Sequence, residues 1–491
     1  MTRRSFLSVA AVSPVLAQPS APRPNILFVI ADDWGYGHAG AFGCNWIRTP
    51  NVDRVAREGA VFTNAFTSNP KCSPSRATIL TGRNTWQLKE AINHYSIFPN
   101  EFPVYPSLLA EAGYFVGLTG KGWGPGDFKS TGFSHNPAGP EFQSRKLQPP
   151  LQGISNNDYA GNFEDFLAKR PARQPFCFWL GTTEPHRVFE EGSGIRAGLK
   201  PGAVTLPAYY PDNPVIRRDL LDYALEVEWF DRHLGLAMAA LEKSGELDNT
   251  IIVVTSDNGM AFPRVKGQIY DHSFHLPFLV RWGARVKPGR RIEDFINFRD
   301  IAPTFLEAAG LKATSSMTGK SFLPLLESGR SGVIDPSRDF MLAGKERHDL
   351  GRPNDAGYPI RAIRTREYLY LRNFEPDRWP VGNPETGYRN CDDGPTKSFL
   401  LSKFDEYYRL NFGKRPAEEL YDLRSDPDCV KNLAHEPAFT ETKRKLAERM
   451  HNLLREEGDP RALGQAGFFD TIRYTGPRGH AYDEFLKQQI R

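Results

Sequence analysis

A chain of 491 residues with 40 % hydrophobic and 24 % charged residues has the balance of a globular protein. It exceeds the roughly 250–300 residues at which one core usually divides, so one large domain and a smaller one are expected. The formal net charge of +4, with basic residues scattered along the chain, excludes recognition of nucleic acid through a basic face.

The opening stretch, MTRRSFLSVAAVSPVLA, passes from Arg3 and Arg4 through a short apolar run to small residues. That order reads as a secretory signal over residues 1–17, with twin-arginine character. It implies an exported protein, periplasmic or secreted. No later run reaches the ~20 apolar residues of a membrane-spanning helix.

Four short apolar runs then end abruptly in polar residues. Ile26–Ala31 leads to Asp32 and Asp33, Phe115–Thr119 to Lys121, Phe176–Leu180 to His186, and Ile251–Thr255 to Asp257 and Asn258. Runs of this length, rich in Val, Ile and Phe, predict strands covered on both faces. Between them, Thr49-Pro50 opens and Gly59 closes an amphipathic helix. A second helix is centred on Leu108, RRDLLDYALEVEWFDRHLGLAMAALEKSG predicts a long third, and DIAPTFLEAAG a fourth. The alternation predicts an α/β fold, a mainly parallel sheet sandwiched by helices. Ligands of such sheets gather outside the carboxyl ends of the strands, where these six polar groups would meet.

Near residue 340 the texture changes. PIRAIRTREYLYLRNF and EELYDLRSDPDCVKNLA predict a small antiparallel sheet, and TETKRKLAERMHNLLREEG an amphipathic helix. The expected division is a catalytic domain over 24–340 and a smaller α+β domain over 341–491.

The five cysteines are Cys44, Cys72, Cys177, Cys391 and Cys429. Their number is odd and their spacing fits no zinc site. Cys177, inside FCFWL, reads as core. Cys72 stands in NPKCSPSRATILTGR, where Pro74 suits a first helical turn. Cys72 would then begin a helix, a place that favours anions and lowers a thiol pKa. Arg76, one turn on, offers a planar fork for an oxyanion. The oxygen donors Asp32, Asp33, Asp257 and Asn258 suit calcium or magnesium. Taken alone, Cys72 reads equally well as a structural thiol.

Cys72-Ser73-Pro74-Ser75-Arg76 followed by Leu80-Thr81-Gly82-Arg83 resembles the signature of type I sulfatases. The resemblance extends from about Pro24 to ELYDLRSDP and implies an alkaline-phosphatase-like fold. It also implies that a maturation enzyme oxidises Cys72 to Cα-formylglycine, and that Asp32, Asp33, Asp257 and Asn258, with position 72, hold calcium. Arg76, Lys121 and Lys266 would contact sulfate, and His186 would protonate the leaving atom. The hydrated aldehyde at position 72 would attack sulfur and later expel sulfate. One departure stands out: many sulfatases carry a histidine where this chain has Trp123.

From EPHR to TSDNGMAFPRVKGQIY the chain is most similar to the heparan N-sulfatase branch, whose bacterial relatives include O-sulfatases acting on algal polysaccharides such as ulvan. The implied substrate is a sulfated carbohydrate, with His94, Arg187, His272 and His275 as possible sugar contacts. Two other readings stay open: a phosphatase or phosphodiesterase of the same superfold, and a non-catalytic glycan-binding protein.

Overall fold

The computed structural model describes residues 23–478 and 481–489. The export signal expected over 1–17 lies outside the described residues. The main sheet has seven strands: β1 (Asn25–Ala31), β2 (Ala60–Phe62), β3 (Phe115–Gly120), β4 (Phe176–Gly181), β5 (Thr250–Ser256), β6 (Phe278–Arg281) and β7 (Arg290–Ile292). Their order across the sheet is β7-β2-β6-β5-β1-β4-β3. All neighbours run parallel except β6, which is antiparallel to both β2 and β5. The sheet is thus mixed but mostly parallel. β6, which is not among the four runs read as strands, is apolar and carries nothing that sets its direction.

Both faces of the sheet are covered, which explains the unbroken apolar runs. In β1, Ile26, Phe28 and Ile30 face one core, together with residues of α2 (Cys72–Thr81), α3 (Tyr105–Glu111) and α6 (Ile301–Ala308). Leu27, Val29 and Ala31 face the other, against α1 (Pro50–Glu58), α4 (Tyr159–Lys169) and the 31-residue α5 (Pro214–Ser244). Asn213 caps α5 by accepting from the Val215 N–H, and Pro214 occupies its first turn. No described helix is long and apolar enough to cross a membrane.

A second sheet is a four-stranded antiparallel meander: β8 (Phe340–Lys345), β9 (Ile360–Thr365), β10 (Tyr368–Asn373) and β11 (Glu418–Asp422). One face packs on Phe66, Ile269 and Phe274 of the larger part. The other is covered by Leu446, Met450 and Leu454 of α7 (Thr440–Glu456). This packing brings the loop after β8, with Asp349, and the segment between β10 and β11, with Asp392, to the carboxyl edge of the main sheet.

Candidate active site

Strand register assembles the acids. β1 and β5 pair in parallel from Asn25 opposite Thr250 to Ala31 opposite Ser256, so Asp32-Asp33 and Asp257-Asn258 leave the sheet side by side. Asp33 donates its N–H to Asp257 Oδ1 at 3.2 Å, and Asn258 donates its amide to Asp33 Oδ1 at 2.6 Å. All four side chains are buried. Asp33 holds a φ of 75°, a left-handed conformation uncommon outside glycine. On the other side of β1, Gly120 of β3 lies opposite Gly181 of β4. Lys121 therefore emerges at the same edge.

Cys72 is the first residue of α2, and its Sγ lies 3.5 Å from Asp32 Oδ1. The helix closes on Gly82 in the left-handed conformation. Arg76 points back along α2 into the acids. Its Nε donates to Asp257 Oδ2 at 2.8 Å, and Nη1 donates to the carbonyls of Lys121 and Gly122 at 2.6 and 3.0 Å. Lys121 Nζ is 2.5 Å from Asp32 Oδ2. Lys266 Nζ is 2.7 Å from Asp33 Oδ2 and 3.1 Å from Asp392 Oδ2. Three buried carboxylates thus face three cations.

The electrostatics follow from burial and from these partners. Burial opposes ionisation of Asp32, yet Lys121, His186, Arg76 and Lys266 hold its carboxyl well below the usual range. Burial and the charge of Asp32 push Asp257 up to about 7. The Cys72 thiol moves opposite to the expectation for a helix start: burial, then Asp32, push it up to about 12. As a cysteine, position 72 is a protonated thiol at neutral pH, not a nucleophilic thiolate.

His186 donates from Nδ1 to the Arg187 carbonyl at 2.7 Å, because a carbonyl can only accept. Its Nε2 lies 3.8 Å from Asp33 Oδ2, and the side chain is 36 % exposed. It is the open edge of an otherwise buried cluster. Trp123 is buried, packs edge-on against Phe98, and donates its indole N–H to the Ser73 carbonyl at 3.0 Å. Position 123 supports the first turn of α2 from below.

The four expected sugar contacts are placed differently. Arg187 is locked in a bidentate pair with Asp219, at 2.9 and 2.7 Å, and also donates to the Ala261 carbonyl. His275 engages Asp271 and the Thr63 carbonyl with its two ring nitrogens and stacks on Tyr36. These two side chains have their polar atoms engaged within the fold. His272 meets the Tyr209 hydroxyl at 2.9 Å and Asp428 Oδ1 at 3.5 Å. His94 donates from Nδ1 to Asp349 Oδ1 at 2.6 Å, leaving a buried Nε2 without a partner. Lys71, just before Cys72, pairs with the other oxygen of Asp349 at 3.0 Å. Sequence reasoning missed Lys71, Asp349 and Asp392. The acidic turn Asp392-Asp393-Gly394 was the available signal for the last of these.

Asp32, Asp33 and Cys72 bring ligand atoms within 4.8 Å of one another. Asn258 Oδ1 is buried without a hydrogen-bond partner. Hard carboxylate oxygens beside an unmet amide oxygen fit a hard divalent cation such as calcium.

Comparison with known proteins gives the family. The sulfatase family profile matches residues 24–311. An ulvan-active sulfatase of Formosa agariphila is 28 % identical over 471 residues, covering 94 % of this chain and 86 % of that protein. The human N-sulphoglucosamine sulphohydrolase is 28 % identical over 480 residues, covering 89 % and 91 %. The solved structure of BT4656 with its substrate D-glucosamine-2-N,6-O-disulfate shares the fold. Its TM-score is 0.65 at 21 % identity, over 89 % of this chain and 98 % of that one. The chain belongs to the sulfatase family of sulfuric ester hydrolases.

Proposed function

We propose that the protein is an exported sulfatase that removes sulfate ester or N-sulfate groups from a sulfated carbohydrate. It uses a formylglycine made from Cys72 and calcium held by Asp32, Asp33, Asp257 and Asn258. The observation that carries this reading is the position of Cys72: it opens α2 with its sulfur 3.5 Å from Asp32, inside a ring of buried oxygen donors and cations. A thiol held protonated has no use there as a nucleophile, whereas an aldehyde formed at that atom would face the acids directly. The two relatives above, named for an N-sulfated amino sugar and for ulvan, support a carbohydrate substrate.

When formed and hydrated, the aldehyde supplies a self-regenerating oxygen nucleophile, and calcium supplies positive charge at the sulfo group. The remaining roles belong to the chain. Arg76, Lys121 and Lys266 balance the acids and offer charge to the sulfo oxygens in the transition state. Arg76 also fixes the Lys121 backbone through two carbonyls, which aims the lysine at the site. His186 has Nδ1–H tied to a carbonyl, so only its doubly protonated ring can give a proton from Nε2 to the leaving oxygen or nitrogen. The buried walls around Asp32, Asp33 and Asp257 keep water out and strengthen each charge interaction.

The test is mass spectrometry of the tryptic peptide that ends at Arg76, on protein from a host carrying the maturation enzyme. It is combined with sulfate release from N-sulfated and O-sulfated oligosaccharides. The expected results are an aldehyde at position 72 and sulfate release that Cys72→Ala abolishes. Sulfate release by Cys72→Ala at the wild-type level would sink the assignment.

A further inference from the structure

Two acids of the C-terminal part reach the site, and they differ in how much of their charge is already engaged. Asp349 has both oxygens committed, one to His94 at 2.6 Å and one to Lys71 at 3.0 Å, and its side chain is 18 % exposed. Asp392 is held from one side only. Its Oδ2 is buried and lies 3.1 Å from Lys266, while the side chain as a whole is 27 % exposed. The rest of that side chain is partly open to solvent. Lys266 is the same ammonium that pairs with Asp33, so Asp392 stands one side chain away from the acids beside Cys72. Burial works against its ionisation, but Lys266, Lys71 and His186 keep it charged. His186, itself 36 % exposed, is a neighbour of this carboxylate.

An exposed carboxylate here has consequences for substrate choice. It accepts hydrogen bonds and cannot donate them. A hydroxyl or ammonium next to the sulfo group would meet it favourably. A carboxylate in that place would meet like charge and an acceptor with no donor to offer.

We propose that Asp392 is a specificity-determining residue that selects, for the sugar unit carrying the sulfo group, an amino or neutral sugar and rejects a uronic acid. The inference rests on the sulfatase reading and deepens it. It also assigns the C-terminal part a role in choosing substrate, while the main sheet carries the chemistry.

The test compares kcat/KM for N-sulfated glucosamine and an O-sulfated neutral hexose with that for a 2-O-sulfated uronic acid, in wild type, Asp392→Asn and Asp392→Glu. The selectivity ratio within each variant is the readout, because it cancels any loss of activity common to all substrates. Wild type is expected to favour the non-uronic sugars. Asp392→Asn is expected to lower that preference about ten- to hundredfold, carried mainly by KM, as loss of a charge-assisted hydrogen bond requires. Asp392→Glu is expected to restore part of it. A ratio in Asp392→Asn within twofold of wild type, or a wild-type preference for the uronate, overturns the proposal. Sulfate release by matured wild type separates the two levels. None from any of the three sugars sinks the sulfatase reading and this inference with it. Release with an unchanged ratio sinks the inference alone.

Discussion

Arg76 donates its Nε to Asp257 Oδ2 at 2.8 Å with neither side chain exposed to solvent. The same guanidinium reaches two backbone carbonyls and lies 3.7 Å from Asp32. Removing one partner of a buried ion pair leaves the other charge uncompensated, at a cost of about 3–5 kcal/mol. Arg76→Ala should lose stability on that scale in urea denaturation. Arg76→Lys keeps the charge but cannot span Asp257 and both carbonyls at once. It should retain most of the stability and still lose about 10²–10³ in kcat, the scale of one missing charge-stabilising group. Wild-type turnover in Arg76→Lys would show that the planar fork has no role.

Trp123 occupies the position where many sulfatases have a histidine, and its indole instead bonds the Ser73 carbonyl under α2. Trp123→His should not raise turnover, because the side chain at 123 lies in the core and not among the acids. It should cost about 3 kcal/mol through lost packing against Phe98 and Phe128. Trp123→Phe keeps most of the packing and loses the hydrogen bond, about 1 kcal/mol. Thermal melts with parallel sulfate-release assays check both. A gain in turnover for Trp123→His would place the indole wrongly.

The acids of the site were legible in the sequence for a simple reason. Strands buried on both faces leave an unbroken apolar signal, so the point where Asp32 and Asp257 interrupt it marks the carboxyl edge. Other features had no such signal. The apolar run of β6 is the same read in either direction, so its antiparallel placement was hidden. Arg187 and His275 sit next to site residues in the chain, but neighbours in sequence need not point the same way. Arg187 turns to Asp219 and His275 to Asp271. Asp349 and Asp392 lie in loops without periodicity, more than two hundred residues beyond Cys72. Only the packing of the second sheet against Phe66 and Phe274 brings them back.

Asp32, Asp33 and Asp257 crowd three carboxylates into a dry space beside the unmet amide oxygen of Asn258. A cation that binds only the folded state stabilises it by mass action, about 2.7 kcal/mol at one hundred times its Kd. A chelator such as EGTA should lower the melting temperature, and added calcium should restore it. In Asp257→Ala the calcium-dependent shift should shrink or vanish. An identical melting temperature with EGTA and with millimolar calcium would rule out a calcium site here.

Glu226 gives a test of stability away from the chemistry. It is buried in α5, one of its oxygens has no partner, and burial together with the nearby Glu184 pushes its carboxyl up to about 9. The unfolded chain ionises this group near the ordinary value of about 4.3. Between those two values the folded state holds a proton that the unfolded state has released, so this group erodes stability as pH rises through the window. Glu226→Gln keeps the shape and removes the titration. Urea denaturation at pH 5 and pH 8 should find the variant close to wild type at the lower pH. At pH 8 it should be more stable by at least about 1 kcal/mol, the worth of less than one pKa unit. Greater stability of wild type at pH 8 would mean that Glu226 is ionised and satisfied in the fold.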